Sequence, residues 1–496
     1  MSKPFYTKSN IVNFESNVMY DDLIGMTDEQ VDSWIDLLRD EVITQWDNEE
    51  SPTPPTIGKV EEGIIKAFSS LRSYDINGFF SEDPDDEYSY GKVANFSKNS
   101  GTVNQFFPTM LKTRITTGVN VDGARSIYDY FSKDELRGAF KHTMIRALIK
   151  DSMCSYTKSL HHTKNDEIDW CGNDGSTFFE KYGNDDDIGV FIRPYMDKDI
   201  VPKALQTFRL SLGQPAVNYP ALTARWLYEH FTKHIDKNEV VNVYDPSAGW
   251  GGRILGAMVA ERPIHYIGTD PNTENHKVTA EIDGVEKTQS RYEWVADFYN
   301  SKSLPLTEPP EFGNMYKREL NKLPEDYVEG VRSSYRRENT HHIFDVGSEH
   351  IGNHPDFQQY KGKLDFVFTS PPYFHREQYS QDETQSFKAY KSYEEWRDNF
   401  LCPTLENAAE SLRFDRYLAW NIASIKVNKT KQYPTGRLPL EEDSMHILES
   451  CGMVYKGKLK QMMTQMQGLS VGELENSCMY KGKVFKYEPI FIYYKP

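Results

Sequence analysis

The stretch from Val240 to Asp270 leaves this chain few options. Val240-Val241-Asn242-Val243-Tyr244-Asp245 reads as a strand. Pro246-Ser247-Ala248-Gly249-Trp250-Gly251-Gly252-Arg253 follows directly as a glycine-rich loop, then Ile254–Val259 as a helix, then His265-Tyr266-Ile267-Gly268-Thr269-Asp270 as a second strand ending in an acid. Strand, glycine loop, helix, strand and acid in that order make a nucleotide-binding half of an open α/β sheet. The glycines let the backbone approach a ligand closely. Asp270, about 20 residues past the loop, stands where an acid grips a ribose diol. The three-glycine spacing of dinucleotide enzymes is missing, which disfavours a pyrophosphate ligand. G-K-[ST] is missing too, which excludes a P-loop. Asp245, at the strand end, is expected beside a cation or an amino group.

A second strand end carries chemistry. Lys363-Leu364-Asp365-Phe366-Val367-Phe368-Thr369-Ser370-Pro371-Pro372-Tyr373 is an apolar strand stopped by two prolines. Proline lacks a backbone donor and fixes φ, so the ladder ends at Pro371. Ser370, before a proline, is held extended. The turn sets a hydroxyl, a proline carbonyl and an aromatic face side by side. The Ser370 hydroxyl and Pro371 carbonyl suit the two N–H groups of an exocyclic amine, whose lone pair they would localise. Tyr373 suits stacking on the base. Four residues alone also fit an ordinary Pro-Pro turn; the upstream unit gives them weight.

The chain has 496 residues and a net charge of −17, which argues against a general nucleic-acid coat protein but not against one local basic face. Residues 1–100 carry 20 Asp/Glu against 8 Lys/Arg, whereas residues 426–496 carry 11 Lys/Arg against 7 Asp/Glu. That asymmetry is compatible with a nucleic-acid surface late in the chain. Five cysteines with no C-x-x-C pair predict a reduced protein without a disulfide framework or zinc ribbon, and no metal site is expected. No signal core and no run of 18 apolar residues occurs, so the expectation is a cytoplasmic protein with no membrane partner.

Two domains are expected. Residues 1–200 form a mostly helical accessory region; Thr27-Asp28-Glu29-Gln30 offers a cap for a helix with Val31, Trp34, Ile35, Leu37 and Leu38 on one stripe. Its acidity makes it a candidate surface for a protein partner. Residues 201–496 form the catalytic domain, with a polar insertion at about 276–340 in which Tyr316-Lys317-Arg318 and 332–337 mix bases with aromatics. His341-His342 reads as strand-edge residues rather than metal ligands. Lys426–Arg437 is a basic, turn-rich loop, and Met453–Leu459 and Ile490–Tyr494 close the sheet as an antiparallel pair.

Asp245–Arg253 followed by Thr369-Ser370-Pro371-Pro372-Tyr373 resembles the S-adenosylmethionine-dependent amino-methyltransferases of DNA, and is particularly similar to DNA methylases carried by phages. The resemblance covers about residues 205–496. It implies a Rossmann-like α/β fold with a seven-stranded, mostly parallel sheet whose last strand is antiparallel. It implies S-adenosylmethionine as cofactor, with Ser247, Ala248, Gly249 and Gly251 of the glycine loop, together with Asp245, around the methionine moiety. It further implies Asp270 on the ribose, Ser348 and Glu349 beside the adenine, and Tyr219 and Pro220 touching the cofactor. Ser370, Pro371, Pro372 and Tyr373 map onto the base-amine motif, in the form more typical of cytosine N4 than of adenine N6. The implied partner is duplex DNA with a flipped base. Adenine-N6 methylation, an RNA substrate, and a binding protein on an inactive methyltransferase scaffold are the alternatives.

Overall fold

The computed structural model describes residues 15–18, 26–47, 61–95, 99–116, 123–154, 204–205, 208, 216–282, 285–302, 319, 321–328, 339–465, 471 and 476–496. The chain divides into two compact units, one drawn from 1–64, 105–115 and 122–217, the other from 65–104, 116–121 and 218–496. The two units interleave along the sequence.

In the first unit, α1 (Asp28–Asp47) starts as its sequence predicts. Thr27 N–H donates to Gln30 Oε1 at 2.8 Å, and Gln30 N–H donates to Thr27 Oγ1 at 3.3 Å, a reciprocal cap. Val31, Trp34, Ile35 and Leu38 are buried on the expected stripe; Leu37 falls outside it. They pack with Phe131, Phe140, Met144 and Phe208.

The second unit holds the sheet. Helix α2 (Glu61–Arg72) sets Phe68 against Phe298 and Tyr299. Strands β1 (Phe80–Ser81) and β2 (Ser89–Ala94) come next. Helix α3 (Arg137–Cys154) belongs to the first unit. There follow α4 (Ala221–Phe231), β3 (Val241–Asp245), α5 (Gly252–Met258), β4 (Ile264–Thr269), α6 (Arg291–Lys302), β5 (Thr340–Phe344), β6 (Leu364–Thr369), α7 (Cys402–Ser411), β7 (Leu412–Asn421), α8 (Leu440–Ser450), β8 (Val454–Gln465), β9 (Ser477–Tyr480) and β10 (Lys483–Lys495). The sheet runs β1-β2-β8-β10-β7-β6-β3-β4-β5, with β9 also paired to β10. Strands β7, β6, β3, β4 and β5 are mutually parallel, and β10 is antiparallel to both β7 and β8. The seven implied strands are thus present with the last antiparallel, and β1, β2 and β9 enlarge the sheet to ten.

Strand β6 is buried along its whole length, as a strand covered on both faces must be. Leu364, Phe366, Val367 and Phe368 are inaccessible, each contributing about 1.5–3 kcal/mol of apolar burial. Its one acid, Asp365, is buried but compensated by Arg413 at 3.1 Å, Arg416 at 3.3 Å and the Asn242 N–H at 2.9 Å. The described part of residues 276–340 lies in the crossover from β4 to β5. Residues 278–289 make a hairpin, and α6 buries Tyr292, Trp294, Val295, Phe298 and Tyr299, so this part is an ordinary packed crossover helix. Tyr316–Arg318 and residues 332–337 lie outside the described residues. No helix among the described residues is long and apolar enough to cross a membrane, and among them no cluster of His, Cys, Asp or Glu could hold a metal.

Candidate active site

The carboxyl ends of β3, β4, β5 and β6 open onto one cleft. Ser247 and Gly249 line it from the glycine loop, Asp270 from the end of β4, Ser348 and Glu349 from beyond β5, and Ser370 and Pro372 from beyond β6. Asp245, Ala248, Gly251, Tyr219, Pro220, Pro371 and Tyr373 do not line it.

The reason differs from residue to residue. Asp245 is fully buried and saturated. Its Oδ2 accepts from Arg253 Nε at 2.7 Å and Tyr266 O–H at 2.6 Å; its Oδ1 accepts from Thr369 Oγ1 at 2.7 Å and Ser247 N–H at 3.2 Å. The cation expected beside it is therefore Arg253 of this chain, whose guanidinium also donates to the Ser247 carbonyl. Asp245 shapes the loop from behind. Gly249 has φ +64°, a left-handed conformation that L side chains rarely adopt, and this turns the loop backbone toward the cleft. Ala248 N–H donates to the Thr269 carbonyl at 2.9 Å and ties loop to strand. Gly251 caps α5. Asn218 accepts from Gly252 N–H at 2.8 Å and donates to the Trp250 carbonyl, so the segment before α4 clasps the loop from outside. Pro220 caps α4. Tyr219 donates to Gln461 Oε1 at 2.5 Å, and the Arg253 guanidinium lies 5.7 Å from its ring centroid.

Asp270 is held by the Asn272 N–H at 2.8 Å, by Asn275 Nδ2 at 3.1 Å and by the Tyr292 hydroxyl. Burial pushes its carboxyl above the ordinary range, against the opposing pull of His276 and these donors. Glu349 is nearly buried, its side chain 6% exposed. Its Oε1 accepts from Tyr390 O–H at 3.2 Å, whereas its Oε2 is buried with no hydrogen-bond partner. Burial raises this carboxyl too. An orphaned acceptor in a cleft wall is costly unless a ligand donor meets it. The amine and hydroxyl donors of an adenosine fit that need.

The sequence reading missed the roof. Tyr379, Thr384, Gln385 and Ser386 close over the cleft, with Phe400 from the π-helical turn Arg397–Leu401. Asp382 Oδ2 accepts from Thr273 N–H at 3.0 Å and Thr273 Oγ1 at 2.8 Å, and Thr384 Oγ1 donates to the Pro271 carbonyl at 3.0 Å. Tyr379 packs 5.8 Å from Trp250. The roof begins at the proline turn itself: Tyr373 N–H donates to Glu377 Oε2 at 3.4 Å, and the Tyr379 hydroxyl donates to the same oxygen. Tyr373 is fixed by the Ala423 N–H donating to its hydroxyl at 2.9 Å, and Arg376 lies 5.4 Å from its ring centroid.

No family model matches the chain, and none of the curated proteins does. Solved structures match weakly. The "Putative DNA Modification Methylase" of Thermus thermophilus, complexed with S-adenosyl-L-methionine, is 18% identical with a TM-score of 0.19, over 30% of this chain and 52% of its own. This chain therefore spans about half the length of that Thermus protein. The precorrin-6y C5,15-methyltransferase of Geobacter metallireducens is 10% identical with a TM-score of 0.23, over 54% and 87%. A SAM-dependent methyltransferase of Methanosarcina mazei is 8% identical with a TM-score of 0.25, over 54% and 96%. Superpositions this loose add no weight; the strand order, antiparallel last strand and cleft position stand by themselves. The fold is a Rossmann-like α/β sheet with an antiparallel last strand.

Proposed function

We propose that this chain is an S-adenosylmethionine-dependent DNA methyltransferase acting on the exocyclic amine of a base, cytosine N4. One observation carries the reading. Ser370 and Pro372 stand in the wall of the same cleft as Gly249, Asp270 and Glu349, so an amine-holding turn and a nucleoside-holding set share one space. S-adenosylmethionine, when bound, supplies an electrophilic methyl on a sulfonium centre.

The rest falls to the protein. The Gly249 backbone faces the methionine part, Asp270 accepts from the ribose hydroxyls, and Glu349 Oε2 accepts from the adenine amine. On the other side, the Ser370 hydroxyl in the cleft wall accepts one N–H of the base amine and the Pro371 carbonyl, assigned through the resembled motif and set behind that wall, accepts the other, withdrawing the lone pair from the ring. Tyr373 is assigned to stack on the base, as in the resembled motif. Flipping the base costs a few kcal/mol of unstacking, after which the gain comes from positioning and preorganised dipoles.

The test is expression of the chain in a methylation-free bacterial host, with the genomic DNA sequenced for modified bases. N4-methylcytosine in a single sequence motif is expected. N6-methyladenine would retain the mechanism and overturn the base. Cofactor binding without DNA modification would move the substrate to RNA. Neither binding nor modification would leave a scaffold protein.

A further inference from the structure

Beyond β7 the chain makes a small hairpin that the proposed chemistry does not use. Residues 425–426 pair antiparallel with 437–438, and Val427 N–H donates to the Gly436 carbonyl at 2.9 Å. From Ile425 to Leu438 the sequence carries three lysines and an arginine and no carboxylate, in a chain of net charge −17. Lys426, Lys429 and Lys431 are exposed, and none of them has an ion-pair partner among the described residues. Two carboxylates beside the hairpin are engaged by neutral donors. Glu394 receives Gln432 Nε2 at 2.5 Å and the Tyr433 hydroxyl at 2.9 Å, and Glu441 receives the Ser424 N–H at 2.9 Å.

Tyr433 braces the tip of the hairpin through Glu394, and the stem of Lys429 lies over Gly436, whose φ of +74° is one that L side chains rarely adopt. Its base is two residues past Ala423, the residue whose N–H holds the Tyr373 hydroxyl. The cations therefore stand at the end of the sheet where the amine-holding turn stands. A strongly acidic protein approaches a polyanion only through such a local patch, and lysines on exposed turns serve as point charges for backbone phosphates.

We propose that the 425–438 hairpin is the arm that grips the sugar-phosphate backbone of duplex DNA beside the target base, with Lys426, Lys429 and Lys431 each neutralising one phosphate. The inference rests on the DNA reading above. The test compares the full chain with a K426Q/K429Q/K431Q variant in anisotropy titrations of duplex DNA from about 50 to 300 mM salt. The expected result is a salt slope shallower by about 2.7 and affinity lower by roughly 10- to 100-fold near 0.1 M salt. S-adenosylmethionine affinity and melting temperature stay unchanged, and the triple Lys→Arg variant retains the wild-type slope. An unchanged slope in the Gln variant, with the wild type binding DNA, overturns the arm alone. A wild type that binds no duplex DNA, or binds only structured RNA, overturns the DNA reading and the arm with it.

Discussion

Asp245 illustrates how a residue can be essential to a site without touching what the site holds. Its four hydrogen bonds all come from this chain, and its partner Arg253 is buried beside it. Asp245→Asn leaves that guanidinium buried and unpaired, and the expected cost is about 3–5 kcal/mol of stability in urea unfolding; a loss below about 1 kcal/mol contradicts the assignment. Glu349 behaves in the opposite way. Its folded carboxyl titrates above its ordinary value near 4.5 because burial disfavours the charge. Stability from such a group is full below the unfolded value and is lost as pH rises through the folded one. Glu349→Gln removes that loss, so the unliganded variant should gain on the wild type in urea midpoint as pH rises above about 4.5, while cofactor affinity falls about tenfold because a neutral amide oxygen accepts more weakly than a carboxylate. A gap that does not change with pH sinks the assignment. Ser370→Ala should lower methyl transfer about 10²- to 10³-fold with cofactor affinity unchanged. The place of Ser370 and Asp270 at strand ends was legible because each ends an apolar run at a sharp break. Glu349 was reached only through a resemblance, since nothing local marks an acid whose partner is a ligand.

At the scale of elements, the segment from Tyr373 to Ser386 is both the continuation of the amine-holding turn and the roof of the cleft. Asp382 latches it to Thr273. The latch lies at the surface, so Asp382→Ala should leave melting nearly unchanged while speeding cofactor release about tenfold, read by stopped-flow displacement. Equal release rates would show the roof closed without it. The roof was invisible in the sequence because residues 379–386 have neither helical nor strand period. The parallel strands were visible because burial on both faces writes an unbroken apolar run. Helix α6 was masked for a related reason: Tyr292, Trp294, Phe298 and Tyr299 alternate with charged residues in a stretch whose overall polarity reads as loop.

At the scale of the molecule, the sheet recruits β1 and β2 from far upstream. Strand β2 pairs parallel with β8, and buried Lys460 of β8 is held by Asp83 and Asp86, each at 2.7 Å. Deleting residues 80–94 should uncover the edge of β8, strand that lysine, and drive self-association measurable by light scattering. A monomeric deletion with an unchanged urea midpoint would contradict that account. No local pattern announces a pairing between strands some 370 residues apart, which is why the interleaved division was not legible. The seven-strand count came through the resemblance, whereas β3, β4 and β6 were legible in themselves, because they end in a glycine loop, an acid and a proline turn. The shared roof has a further consequence under the proposed reading. If spent cofactor leaves only when the roof lifts, the amine-holding turn must loosen at the same moment. The protein then lets go of its target between turnovers and works distributively, modifying one site per encounter rather than travelling along the duplex.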